Sequence, residues 1–183
     1  MKKITERNIK INGDRIYLRK IELSDVSSTY VNWLNDSEIN QYLETRYEDQ
    51  TIDSVHKYVE KIMGTDNELL LAMCLQDNHK HIGNIKLGPI NLIHKNAEIS
   101  LFIGDKNAWG KGIATEAISI LTNYAFKNLK LHKITAGCYA NNIGSIKAFE
   151  KVRFLIEGNW KDHYLYNREY VDRICLAIIN ENK

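Results

Sequence analysis

Gly110-Lys111-Gly112 stands between an alternating apolar stretch and an amphipathic one. Glycines in such a place suit one kind of chemistry, the close approach of an anion to the backbone. A helix N-terminus leaves its first amide N–H groups unpaired and carries partial positive charge. With no side chain in the way, a phosphate or pyrophosphate docks on the nitrogens from Gly110 to Thr115. A helix that merely starts on two turn glycines has the same pattern, so the surroundings must decide. The other reactive residue types are scattered. Cys74, Cys138 and Cys175 are widely spaced in strand-like segments and read as small core hydrophobes, not as a disulfide frame or metal site. The histidines have no metal-ligand spacing. His79, His81, His94 and His132 read as solvated, and His163 beside Tyr164 is the one histidine placed to meet a substrate.

The stretch Asn96 to Lys127 must position those glycines. Ala97, Ile99, Leu101 and Ile103 fall on one face of a strand, with Glu98, Ser100 and Phe102 on the other. After the glycines, Ile118, Leu121, Ala125 and Leu129 recur at a helical period, so one side of that helix packs on a sheet.

Upstream, Asp14 to Ile21 alternates as a first strand. Ser24 is the expected N-cap of a helix reaching Asn35, and Thr51 of a second one ended by Gly64. The polar loop between these helices, residues 36–50, is placed to lie over a pocket. Glu68–Gln76, His81–Ile90 and Asn96–Ile103 have short polar connections and predict an antiparallel meander, with Gly88-Pro89 marking a bulge or strand end. Leu131–Tyr139 follows a helix-length link and is expected parallel to the strand before it. Asn142 caps a short helix to Val152, Phe154–Gly158 follows, and Trp160–Ile179 forms a hairpin turning near Asn167-Arg168. The pattern is α+β: a mixed, mostly antiparallel sheet with a central β-α-β crossover and a C-terminal hairpin.

The 183 residues predict one domain over 1–183, and 44% apolar with 26% charged content suits a globular core. A net charge of +2, with no Lys/Arg run beyond two residues, gives no basis for nucleic acid as a partner but suits a small anionic ligand. The apolar run Leu69–Leu75 is too short to span a membrane, and MKKITERNIKING lacks the apolar core of a signal peptide. A cytoplasmic location without membrane association is the expectation. A P-loop nucleotidase needs GxxxxGK[ST], whereas Gly112 follows Lys111. A dinucleotide fold needs a third glycine where Thr115 stands, and a doubly wound sheet.

Two motifs, in order and correctly spaced, resemble the GNAT superfamily of acetyl-CoA-dependent N-acetyltransferases. Trp109-Gly110-Lys111-Gly112-Ile113-Ala114 is similar to its Arg/Gln-x-x-Gly-x-Gly/Ala signature, with Trp109 departing at the first position as in the branch resembling ribosomal-protein N-acetyltransferases. Asn142-Ile143-Gly144-Ser145 through Glu150-Lys151-Val152-Arg153-Phe154 looks like that branch's second helix, with Arg153 where glycine is usual. The resemblance covers essentially the whole chain and implies a GNAT-like sheet with helices on both faces. It implies acetyl-CoA as cosubstrate, no metal, and a primary amine as acceptor. The cofactor would be held by Trp109, Gly110, Lys111, Gly112, Ile113, Ala114, Thr115, Asn142 and Ser145, with its pantetheine arm along Leu101, Phe102 and Ile103. Glu98 is the expected base. Ser145 is the expected proton donor, because Phe149 occupies the position where many members have a tyrosine; Tyr139 is the alternative acid. Trp33, Tyr42, Tyr47, Trp160 and Tyr164 give the expected acceptor site an aromatic character. The acceptor is expected to be a small amine, such as an amino-sugar nucleotide, or a protein N-terminus. A non-catalytic acetyl-CoA sensor of the same fold is the rival reading. Sheet edges of this fold often pair, which leaves a homodimer among the expected assemblies.

Overall fold

Among the described residues, eight strands make one sheet in the order β1-β2-β3-β4-β5-β6-β8-β7. The structure is a computed structural model and describes residues 9–181, so the ends of the expected 1–183 domain and most of the N-terminal stretch lie outside the described residues. The strands are β1 (Lys10–Asn12), β2 (Ile16–Lys20), β3 (Leu69–Leu75), β4 (His81–Leu87), β5 (Asn96–Ile103), β6 (Lys133–Tyr139), β7 (Leu155–Tyr166) and β8 (Glu169–Ile179). Every neighbouring pair is antiparallel except β5–β6, the two strands joined by the helical crossover. Among the described residues, no helix is long and apolar enough to cross a membrane.

Five α-helices among the described residues cover the sheet: α1 (Ser28–Asn35), α2 (Ser37–Asn40), α3 (Ile52–Met63), α4 (Ile113–Asn128) and α5 (Ile143–Lys151). Ser27, not Ser24, caps α1, accepting from the Tyr30 amide at 3.3 Å. Ser24 is instead enclosed in a 3-10 turn over Leu23–Asp25, where the Asp25 carboxylate accepts from the Glu22 amide at 2.8 Å. Thr51 and Ser54 cap α3 reciprocally. The two expected segments after α5 fuse into one long strand, β7, with register shifts at Ile156/Gly158 and Trp160/Tyr164. Its hairpin turns on Asn167-Arg168, with φ of 50° and 69°, the left-handed pair that matches strand twist.

One face of the sheet buries Leu71, Met73, Ile85 and Ile99 under Ala117, Ile118 and Leu121 of α4 and Phe149 of α5. The other buries Ile21 and Leu70 under Trp33 of α1 and Val55, Val59 and Ile62 of α3. Each such side chain contributes about 1.5–3 kcal/mol by leaving water. His81 is not solvated: its ring lies edge-on to Trp33 at 5.2 Å and to Tyr30 at 6.0 Å.

The end of α5 explains the glycine that the chain lacks. Arg153 has φ of 70°, the Phe154 amide donates to Phe149 O at 3.1 Å and the Arg153 amide to Glu150 O at 2.8 Å. That is a Schellman stop, sealed by Phe154 edge-on to Phe149 at 5.0 Å. A left-handed arginine costs about 1 kcal/mol relative to glycine. Arg153→Gly is therefore expected to raise the melting temperature by about 2–4 °C, read by calorimetry; no rise would mean the turn is not strained.

Candidate active site

β5 and β6 pair only over Asn96↔Lys133, Ala97↔Ile134 and Glu98↔Thr135. Beyond Glu98, β5 continues along β4 as far as Ile103, and β6 continues along β8 as far as Tyr139. The strands part, and each keeps only one neighbour. The Gly88 amide donates to Glu98 O and the Gly104 amide to Ile82 O, both at 2.8 Å, so even-numbered positions of β5 bond to β4. By the alternation of an antiparallel ladder, Ile99, Leu101 and Ile103 turn their peptide groups to the gap. The Trp109 indole N–H donates to Ile103 O at 2.9 Å and closes one of those positions. Phe102 belongs to the other side: its ring stacks on Tyr30 at 6.0 Å.

The glycine loop sits at the far end of β5. Gly110 and Gly112 have φ of 70° and 75°, and Gly112 is the N-cap of α4. Among the described residues, the amides of Gly110 to Thr115 donate to no protein acceptor; the Glu116 amide, donating to Gly112 O at 3.1 Å, is the first to enter the helix ladder. A Cβ at Gly110 would meet nothing within 4 Å, so the space beside this glycine is open. The carbonyls are held from behind. The Arg15 guanidinium donates to Lys111 O and, at 3.4 Å, to Gly112 O, and its Nε donates to Glu116 Oε2 at 2.7 Å. Glu116 also accepts from the Arg15 and Ile16 amides. Burial pushes the Glu116 carboxyl up, but these donors outweigh it and hold it below the usual carboxylate range. Lys111 is exposed, Ile113 is buried in the core, and Ala114 and Thr115 are half-buried. Six free peptide donors beside a strand edge with unpaired amide groups fit both parts of acetyl-CoA, its diphosphate and its amide-bearing arm.

Across the gap, the Asn142 side chain accepts from the Ser145 amide at 3.2 Å, and Ser145 Oγ lies 3.3 Å from Cys138 Sγ. Burial pushes the Cys138 thiol up, so it stays neutral. The Tyr139 hydroxyl donates to Glu44 Oε1 at 2.6 Å and accepts from Arg46 Nη2 at 2.8 Å. Burial and Glu44 raise this phenol's pKa well above normal despite Arg46.

Glu98 sits at the last paired position before the strands part. Its side chain is 41% exposed, and both oxygens lie 3.3 Å from Arg173 Nη2. Around it stands an aromatic wall. Tyr164 stacks on Tyr139 with ring centroids 4.0 Å apart, Tyr42 stacks on Tyr166 at 5.4 Å, and Trp160 lies under the Arg173 guanidinium at 4.8 Å. His163 packs against Trp160 and Tyr164. Arg46 ties the 36–50 loop down, donating to the Tyr47 hydroxyl at 2.5 Å and to Leu165 O at 3.0 Å.

The fold thus gathers Glu98, Tyr139, Tyr42, Trp160 and Tyr164 around one opening, with Ser145 behind it. Trp33 lies elsewhere. It is 8% exposed in the core beneath α1, pressed against Gly104 so closely that a Cβ there would overlap the indole. Glu44, Arg46, Arg173 and Arg15 are site neighbours that no motif announces. Among the described residues, no group of three His, Cys, Asp or Glu side chains is placed to hold a metal ion.

The family description "Acetyltransferase (GNAT) domain" matches residues 15–155, a span that takes in the parted strands, the glycine loop, α4 and α5. The chain is 31% identical over 178 residues to "Probable N-acetyltransferase YjcK" of Bacillus subtilis, covering 93% of this chain and 97% of that protein. It is 28% identical over 165 residues to a spermidine N(1)-acetyltransferase of Escherichia coli, covering 89% and 85%. The crystal structure of Vibrio cholerae spermidine N-acetyltransferase in complex with CoA and spermine superposes with a TM-score of 0.81 at 25% identity, covering 91% of this chain and 96% of that one. A sheet parted beside a cradle of free amides, on a chain that matches in this way, makes this protein a member of the GNAT family, an acetyl-CoA-dependent N-acetyltransferase.

Proposed function

We propose that the protein moves an acetyl group from acetyl-CoA to the primary amine of a small molecule by direct attack in a ternary complex. Bound acetyl-CoA supplies the activated acyl group; the chain supplies positioning and proton transfer. The amides of Gly110 to Thr115 anchor the diphosphate end, the Leu101 and Ile103 edge orients the arm, and Asn142 meets the cofactor from across the gap. The observation that carries the reading is Glu98 at the parting of β5 and β6, facing the aromatic wall.

An alkyl amine has a pKa of about 10, so at neutral pH its proton must be taken up before it can attack. Glu98 is the base proposed for that proton. Ser145 is the hydroxyl proposed to protonate the departing thiolate. Tyr139, engaged by Glu44 and Arg46, is assigned to shaping the acceptor wall together with Tyr42, Trp160 and Tyr164. Trp33, in the core beneath α1, has no part in this wall. The spermidine acetyltransferases among the relatives favour an aliphatic polyamine-type acceptor, while the resemblance to ribosomal-protein N-acetyltransferases keeps peptide N-termini in the comparison. Three free cysteines suit a reducing, cytoplasmic setting.

The test is release of free thiol from acetyl-CoA with spermidine, spermine, N-terminal peptides, aminoglycosides and amino-sugar nucleotides. Saturable release with an aliphatic amine supports the proposal. Tight acetyl-CoA binding without turnover on any of them would replace it with the sensor reading. Sedimentation of the same preparation decides whether the working form is a homodimer.

A further inference from the structure

Arg173 touches both Glu98 and Trp160, and its geometry is unusual. It belongs to β8, whereas Glu98 belongs to β5, and β6 lies between them. The side chain crosses β6 over Gly137, where a Cβ would collide with the guanidinium. Arg173 is 19% exposed, and among the described residues its buried Nε–H has no acceptor. A buried donor left unpaired is a cost that a purely structural arginine would avoid by another rotamer or by exposure. Trp160 stacks against the guanidinium at 4.8 Å.

We propose that Arg173 is a positioning residue for acetyl transfer: it reaches from β8 across the bare Cα of Gly137 and holds the Glu98 carboxylate where β5 and β6 part. The inference rests on Glu98 being the base. A glutamate whose side chain is 41% exposed has several open rotamers. One Nη2 equidistant from both oxygens, at 3.3 Å, selects among them while leaving each oxygen free lone pairs for an amine. The contact is long, so the carboxylate is aimed without being tied up in a short two-pronged pair. The other ionisable groups facing this pair are Cys138 from β6, Tyr164 from β7 and, toward Tyr164, Glu44 from the 36–50 loop.

The experiment compares Glu98→Gln, Arg173→Met, Arg173→Lys and Gly137→Ala with the unmodified protein, using the amine that gives the fastest thiol release. It reads kcat, the amine KM, the pH–rate profile and acetyl-CoA affinity. Arg173→Met is expected to lower kcat about 10–100-fold, as losing a supporting contact to a reacting group does, with KM and acetyl-CoA affinity within threefold. Arg173→Lys should recover part of the rate. Gly137→Ala keeps every charge, yet should reproduce the Arg173→Met profile by displacing the guanidinium. If Gly137→Ala fails to fold, the two Arg173 variants carry the test. Unchanged kcat in Arg173→Met, or a fall in kcat that Arg173→Lys does not recover in part, would reduce Arg173 to packing and overturn the proposal. Unchanged kcat in Glu98→Gln would instead remove the base on which it rests.

Discussion

Glu98→Gln is expected to lower kcat by about 10²–10⁴, the usual worth of a general base, while leaving acetyl-CoA affinity where it was. Glutamine keeps the shape and an oxygen for Arg173 but cannot accept the ammonium proton. With a pKa of about 10, roughly one acceptor in a thousand is already neutral at pH 7, and the variant must rely on that fraction. Its residual rate should therefore climb about tenfold per pH unit until the amine's own pKa is reached, whereas the unmodified enzyme levels off earlier. Cofactor affinity is spared because Glu98 lies at the closed end of the opening, five positions before Ile103 and the loop that follows it. Steady-state kinetics from pH 6 to 10 check both statements. A kcat within threefold of the parent at neutral pH would show that a water chain or the amine's free fraction suffices, and Glu98 would lose its role.

The parts of this site that could be read from the sequence are those whose cause is local. β5 alternates as far as Leu101, α4 follows a 3.6-residue period, and Thr51 finds its capping partner three residues on in Ser54, so each element is encoded within its own length. The glycine loop is equally local, because two left-handed residues at a helix mouth need no distant partner. Ser24 misleads because Ser27 is chemically identical and only the 3-10 turn before α1 decides between them. β1, a three-residue strand, is below the length at which a period can be seen. The charged neighbours are a different case. Arg15 meets Glu116 across 101 positions, Arg46 meets Tyr139 across 93, and Arg173 meets Glu98 across 75. Such meetings depend on sheet register, where a slip of one residue turns each side chain to the opposite face. Trp33 goes to the core for a reason of the same kind: nothing near it in the chain announces the bare Gly104 that receives its ring.

Gly112→Val should weaken acetyl-CoA binding by about 10²–10⁴ in Kd. Gly112 holds φ of 75°, and a β-branched residue there is strained whatever space surrounds it. The relief open to the loop is to rotate the peptide units on either side, and those units carry the free amides. Hydrogen bonds to a charged group are worth about 1.5–3 kcal/mol each, so misdirecting two of them accounts for the predicted range. A new side chain would also approach the Arg15 guanidinium, whose nearest atom lies 3.4 Å from a Cβ at this site, and would loosen the clamp on Lys111 O and Gly112 O. Gly110→Ala separates the two causes. It shares the left-handed φ, but its Cβ meets no protein atom, so any loss there comes from the backbone or from the space a diphosphate would occupy. Titration calorimetry with acetyl-CoA, on protein whose circular dichroism matches the parent, reads both variants. Binding within threefold of the parent in Gly112→Val would mean that the free amides at the mouth of α4 are not what grips the cofactor.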